Sequence, residues 1–234
     1  MRVVRGSASG VDKDRRITAS MADLAGDTAE PVLRAWTPPR QLAFGRRDAT
    51  RDGYNRARRI AADSGYEPVE RSVGGSAVAY TGHTVAFAYA EPTDGRGGID
   101  RRYRRTTATL ADALRETGAT ISRGEPDRSF CPGRHSLRGT GKIAGIAQRV
   151  KRDSALVGGC MVVRRSDSAA IAEVLAPVYA ALDRPFDPES VGSVEAAGGI
   201  GGVDATRDAI ESAFVAGRTP TTVSAADLLG SDAP

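Results

Sequence analysis

Lysine is almost absent from this chain: Lys13, Lys142 and Lys151 are the only three, so arginine carries the basic excess behind a formal net charge of +4. Histidine occurs only at His83 and His135, and cysteine only at Cys131 and Cys160. These four residues show no C-x-x-C or comparable ligand spacing, which argues against a zinc site and gives no metal to expect. Aromatic residues make up only 5% of the chain, so the core must be built from aliphatic side chains. No stretch approaches the ~20 apolar residues of a membrane span. Met1-Arg-Val-Val-Arg5 also lacks the apolar run of a signal peptide. The expectation is a cytoplasmic protein with reduced thiols and no membrane partner. A charge of +4 on 234 residues is that of an ordinary solvated surface rather than a nucleic-acid-binding one.

A chain of this length with 40% hydrophobic residues can bury a full core. Helical spacing predicts a short helix over 17–24, then helices over 50–64, 103–116, 169–182 and 205–215. Strands are expected at 31–36, 41–45 and 120–122, with 155–163 as a continuous apolar run fit for the centre of a sheet. Two alternating runs, 78–80 and 84–89, flank Gly82 and read as a hairpin. The run 143–147 fits a buried strand or the start of a packed helix, and the first ten residues read as loose. The chain divides into a polar N-terminal segment (1–30), a catalytic domain (31–218) and a C-terminal tail (219–234). Strands and helices mix without strict alternation, which predicts an α+β fold: a mixed, largely antiparallel sheet with packed helices.

The chemistry concentrates in Ser129-Phe-Cys-Pro-Gly-Arg-His135 and, closely after it, Gly139-Thr-Gly-Lys-Ile-Ala-Gly-Ile-Ala-Gln-Arg149. Pro132 and Gly133 put Cys131 in a turn, with Arg128, Arg134 and His135 within four positions. A thiol becomes a useful nucleophile where it is partly exposed and near positive charge, because the thiolate is the reactive form. Lys142 enters an apolar run of small residues and must aim its charge at something. Cys131 and Lys142 are therefore expected to face one pocket and handle an acyl group. Cys131 would be the nucleophile, and Lys142 the ammonium that meets negative charge developing on the acyl oxygen. Cys160, inside a long apolar run, is expected to be packing, and both histidines are placed at the surface. Arg101-Arg-Tyr-Arg-Arg105 reads as a solvated helix start or a landing site for an acidic protein.

Three stretches, in order, resemble one family. Arg71-Ser-Val-Gly-Gly-Ser-Ala-Val78 is similar to the Arg-x-x-Gly-Gly-Gly-Ala-Val signature of biotin and lipoate protein ligases and their octanoyltransferase relatives. Gly141-Lys-Ile-Ala-Gly-Ile-Ala-Gln148 resembles that family's lysine motif, Gly-Lys-Lys-x-Ala-Gly-x-Ala-Gln. Val157-Gly-Gly-Cys-Met-Val-Val163 sits where the family has a His-Gly followed by an apolar strand. The likeness covers roughly residues 30–200. It implies the core of class II aminoacyl-tRNA synthetases and biotin synthetases, a mixed sheet with helices on one side. It also implies an acyl site. Arg71, Val73, Gly74, Gly75, Ser76 and Ala77 would carry the chain along a small-residue turn, with Val78, Tyr80 and Ile143 beside it. Gly141, Ala144, Gly145, Ala147 and Gln148 would supply the facing wall.

The Cys131-Pro-Gly133 turn just before the lysine motif resembles the cysteine-dependent branch of the family rather than its ATP-dependent ligases. Tyr80 stands where the ligases carry a histidine, and Gly158-Gly159 where they carry His-Gly. The resemblance thus implies a protein acyltransferase that moves an octanoyl or lipoyl group, through a Cys131 thioester, to a lysine of a lipoyl carrier domain. Such carriers are the lipoyl domains of 2-oxoacid dehydrogenases and the glycine cleavage H protein, and an acyl carrier protein is a further candidate donor. In this reading no cofactor is needed. The alternatives are an ATP-dependent lipoate–protein ligase using ATP and Mg, with Cys131 incidental, and a non-catalytic binding protein of the same fold.

Overall fold

The computed structural model describes residues 1–71, 75–95 and 97–229. The chain opens with β1 (Arg2–Arg5), α1 (Val11–Thr28), β2 (Val32–Trp36), β3 (Gln41–Phe44), α2 (Tyr54–Asp63), β4 (Glu67–Glu70) and β5 (Val78–Tyr80). There follow β6 (Val85–Pro92), α3 (Ile99–Glu116), β7 (Ser122–Arg123), β8 (Ser136–Arg138), β9 (Lys142–Val150) and β10 (Ser154–Met161). The last elements are α4 (Arg165–Ala181), α5 (Gly202–Val215) and β11 (Thr221–Ser224).

Eight strands form one sheet in the order β11-β1-β2-β6-β10-β9-β8-β7, and β4-β3-β5 form a second. β1 runs parallel to both β11 and β2. From β2 to β7 every neighbouring pair is antiparallel. The sheet is therefore mixed and largely antiparallel, as expected. The apolar run at 155–163 supplies β10, bonded on both sides by β6 and β9. Its glycines allow close backbone packing: a Cβ on Gly159 would lie 2.4 Å from the Gly145 carbonyl oxygen.

Strand residues alternate between two buried faces. On one, Val3, Leu33, Phe87 and Tyr89 pack with Leu110 and Leu114 of α3 and Ile210 and Phe214 of α5. On the other, Val4, Val32, Ala88 and Ala90 pack with Ile17, Met21 and Ala25 of α1. A third core joins the small sheet to α2 and α4 through Leu42, Phe44, Ala57, Ile171, Leu175 and Tyr179.

Four expectations need correction. Helices cover both faces of the large sheet, not one, because its central strands are apolar on both sides. The first ten residues are not loose: Val3 and Val4 are buried on opposite faces of β1. The tail likewise supplies β11, which extends the sheet beyond β1. The presumed hairpin at Gly82 does not exist, since β5 pairs with β3 while β6 pairs with β2 and β10. Gly82, at φ 87°, turns the chain from the small sheet into the large one.

Candidate functional site

A groove of about 1160 Å³ opens between the large sheet, α1, the small sheet and the connection from β7 to β8. Ala86, Ala88, Gly145, Ala147 and Gly158 line its sheet side, and all are too small to fill it. Trp36, at the end of β2, stands beside Ala86 on the same sheet, and Val78 and Tyr80 of β5 line the groove from the small sheet. Tyr80 keeps its proton, since burial pushes its ionisation well above the ordinary range.

The lysine motif reaches this groove through a register shift. β9 slips against β8 between Leu137 and Arg138, so Lys142 opposes Arg138 while Ala144 opposes Leu137. The extra residue lets Ile143 and Ala144 both pack into the α3–α5 core, and Lys142, Gly145 and Ala147 all line the groove. Ala144 and Ile143, expected in the acyl site, thus lie behind the sheet and do not line the groove. Gly141 is also elsewhere: a Cβ on it would lie 2.6 Å from the Gly192 backbone nitrogen, so its job is close packing against that turn. Gln148 does line the groove, and its amide is bound to α3, accepting from Arg102 Nε (2.6 Å) and donating to the Ile99 carbonyl (3.2 Å).

Cys131 lies at the groove mouth, half-buried, with φ 40°. The cation at its sulfur comes from neither sequence neighbour. Arg128 and Arg134 are exposed, while Arg71 donates from Nη2 to Cys131 Sγ at 3.2 Å and to the Ser76 carbonyl. The Arg71 guanidinium is held above its ordinary range: burial opposes its charge, but the Cys131 sulfur and the Tyr80 oxygen outweigh it. Gly75 makes room for this contact, because a Cβ there would lie 2.8 Å from both Arg71 Nη2 and Cys131 Sγ. Ser76 and Ala77 are buried behind the turn and act through their carbonyls, Ala77 accepting from the Tyr179 hydroxyl at 3.0 Å. Val73 and Gly74 lie outside the described residues.

Lys142 is fully buried and points at the Cys131 loop, not into free space. Its three N–H bonds go to Glu125 Oε2 (2.6 Å), the Phe130 carbonyl (2.9 Å) and the Cys131 carbonyl (2.7 Å). An ammonium has three donors, so none is left for an acyl oxygen in this arrangement. Glu125 also accepts from Gly133 N–H and the Ser136 hydroxyl, which ties both arms of the loop to one carboxylate. Burial raises the Glu125 carboxyl, but the bond and charge of Lys142, with Ser136 and Gly133, outweigh it and hold it below its ordinary range.

Cys160 is a packing residue, as expected: it is buried and burial pushes its thiol up to about 12. His135 is half-buried, lines the groove and stacks flat on Tyr103 with ring centroids 4.0 Å apart. His83 is exposed and faces Asp167 at 3.6 Å. Sequence reasoning missed Glu125 and Tyr179. A buried lysine demands an acid, and Glu125 is one of two carboxylates between β7 and Cys131, so that signal was present. No comparable signal marked Tyr179. Among the described residues no cluster of three His, Cys, Asp or Glu could hold a metal, and no helix is long and apolar enough to cross a membrane.

The sequence matches the family model for the lipoyl protein ligase A/B catalytic domain over residues 16–215. It is 32% identical over 149 residues to an octanoyl-[GcvH]:protein N-octanoyltransferase from Exiguobacterium sp., covering 63% of this chain and 53% of that protein. It is 30% identical over 153 residues to a protein of the same name from Geobacillus kaustophilus, covering 64% and 54%. The chain spans about half the length of these curated relatives. The fold is also that of lipoate-protein ligase A bound with ATP, at TM-score 0.77 and 18% identity, over 97% of this chain and 92% of that one. Protein Ta0514 of T. acidophilum with bound lipoic acid gives 0.73 and 16%, over 97% and 91%.

Proposed function

Because the chain belongs to the lipoyl protein ligase A/B catalytic-domain family, we propose that it is a protein octanoyltransferase that carries its acyl group on Cys131. The observation that carries this reading is the Arg71 guanidinium on Cys131 Sγ at the mouth of an apolar groove. A guanidinium in that place faces the point where the acyl oxygen gains charge. The relatives' names suggest an octanoylated GcvH protein as donor and a second protein as acceptor, and we take the group exchanged to be held on lysines of lipoyl carrier domains, the glycine cleavage H protein among them.

The chemistry balances without a further reactant. The Cys131 thiolate attacks the acyl carbonyl, a C–S bond forms, and the donor amide C–N bond breaks, its amine leaving with a proton from solvent. The acceptor lysine, entering as a free amine, then attacks the thioester. A C–N bond forms, the C–S bond breaks, the thiolate returns, and the amine's proton goes back to solvent. Two easier acyl transfers replace one hard one. Arg71, rather than Lys142, serves the acyl oxygen, since its Nε is buried with no hydrogen-bond partner while the Lys142 donors are all occupied.

The occupied Lys142 donors support a transfer without ATP. A phosphate could reach the ammonium only by displacing Glu125 or the two loop carbonyls that hold Cys131 in place. We place the reaction in the cytoplasm, with no metal and no nucleotide. The test is a transfer assay with octanoylated H protein and an unmodified lipoyl domain, without ATP. Octanoyl should move to the lipoyl domain, and Cys131→Ala should slow it on the order of 10³-fold or more. Transfer that requires ATP and survives Cys131→Ala would overturn the reading.

A further inference from the structure

We infer that Tyr179, on α4, is a positioning residue for the nucleophile: its hydroxyl and the Lys142 ammonium together clamp Cys131 in a left-handed conformation that presents Sγ to the groove. The inference rests on reading Cys131 as the acyl carrier. A non-glycine residue in the left-handed region is strained and persists only where its surroundings over-determine it. Cys131 is such a residue, at φ 40°, and Arg128, three positions earlier, is another at φ 55°.

Both sides of the Cys131 backbone are held. The carbonyls of Phe130 and Cys131 converge on one ammonium, at 2.9 and 2.7 Å. Successive carbonyls point to opposite sides in a strand and run parallel in a helix, so this convergence belongs to the sharp turn at Cys131. On the opposite side the Cys131 N–H donates to the Tyr179 hydroxyl at 2.6 Å, and that hydroxyl donates to the Ala77 carbonyl at 3.0 Å. Ala77 follows Ser76, whose carbonyl accepts from Arg71. Tyr179 thus ties the nucleophile's backbone to the stretch that keeps the guanidinium on its sulfur.

Tyr179 suits the task because it is rigid and stays protonated. It is 1% exposed, packs on Phe186 with ring centroids 5.0 Å apart, and burial pushes its ionisation well above the ordinary range. It does not line the groove, so it acts through Cys131 and not on the acyl chain.

Tyr179→Phe keeps the ring and removes only the hydroxyl. The rate of octanoyl-enzyme formation should fall about 10- to 100-fold per folded molecule, with KM for the octanoyl donor unchanged. Alkylation of Cys131 by iodoacetamide should slow as well, and the Cys131 amide should exchange faster with deuterated water. Unchanged kcat and alkylation, or a loss that only follows the unfolded fraction, would overturn the inference. If the phenylalanine variant does not fold, 3-fluorotyrosine at position 179, a weaker acceptor, should give a smaller loss in the same direction, and no loss would overturn it. If the wild-type protein takes no octanoyl group at all, the thioester reading fails, while alkylation and amide exchange still decide the clamp.

Discussion

Gly75 shows how much of the site is decided by single residues. Its φ of 97° and its contact with Cys131 Sγ and Arg71 Nη2 leave no space for a side chain. Gly75→Ala should cost roughly 1–2 kcal/mol for the left-handed backbone alone. It should also push the guanidinium off the sulfur, so acyl-enzyme formation should fall by about 10-fold or more, the loss expected when a charge-stabilising donor is displaced. An unchanged rate in single-turnover mixing would show that Arg71 is not needed at that distance. At this scale the sequence was legible where chemistry resides in residue type. Cys131 beside Pro-Gly, the small-residue turn and a rare lysine all announce themselves. It was illegible where a role depends on pairing across the chain: Arg71 meets Cys131 across 60 positions, and Tyr179 meets it across 48. Lys142 was assigned to the right neighbourhood, and its donors go to Glu125 and two loop carbonyls.

At the scale of elements, the β9 register shift decides which half of the lysine motif meets the groove. Alternation in a strand fixes which residues share a face, but a bulge reverses the phase, and nothing in Lys142-Ile-Ala-Gly145 marks it in advance. The hairpin expected at Gly82 failed for a related reason, since apolar alternation does not name a strand's partner. The Glu125–Lys142 pair links β9 to the Cys131 loop and makes a testable contribution to stability. A carboxyl held below its ordinary range stabilises the folded state above its unfolded value, about 4.5, and that stability is lost as pH falls through the lower folded value. Lys142→Met should therefore destabilise the protein by about 3 kcal/mol at neutral pH, leaving Glu125 half-buried without its cation. The variant should also lose less further stability than wild type as urea denaturation is carried from neutral pH to below about 4.5. Parallel pH curves for the two proteins would contradict this.

For the whole molecule, the mixture of periods pointed correctly to an α+β fold with a largely antiparallel sheet. The two ends were not legible, because β1 and β11 are short and their polar, glycine-bearing surroundings resemble loops. Yet β1 lies between β2 and β11, and its two valines enter separate cores. Burying each is worth about 1.5–3 kcal/mol, against a usual total of about 5–15 kcal/mol. Removing residues 1–6 should lower the thermal midpoint by roughly 10 °C, although Cys131 is far from that edge in strand order. A midpoint within a degree or two of wild type would show that this strand contributes little.

The central claim is the covalent step, and intact mass spectrometry tests it most directly. The protein is mixed with octanoylated H protein in the absence of ATP and acceptor, then weighed. The prediction is an octanoyl adduct that neutral hydroxylamine removes and that Cys131→Ala abolishes, since a thioester yields to hydroxylamine and an amide does not. No adduct with excess donor, or one that persists through hydroxylamine and in the alanine variant, would contradict transfer through Cys131.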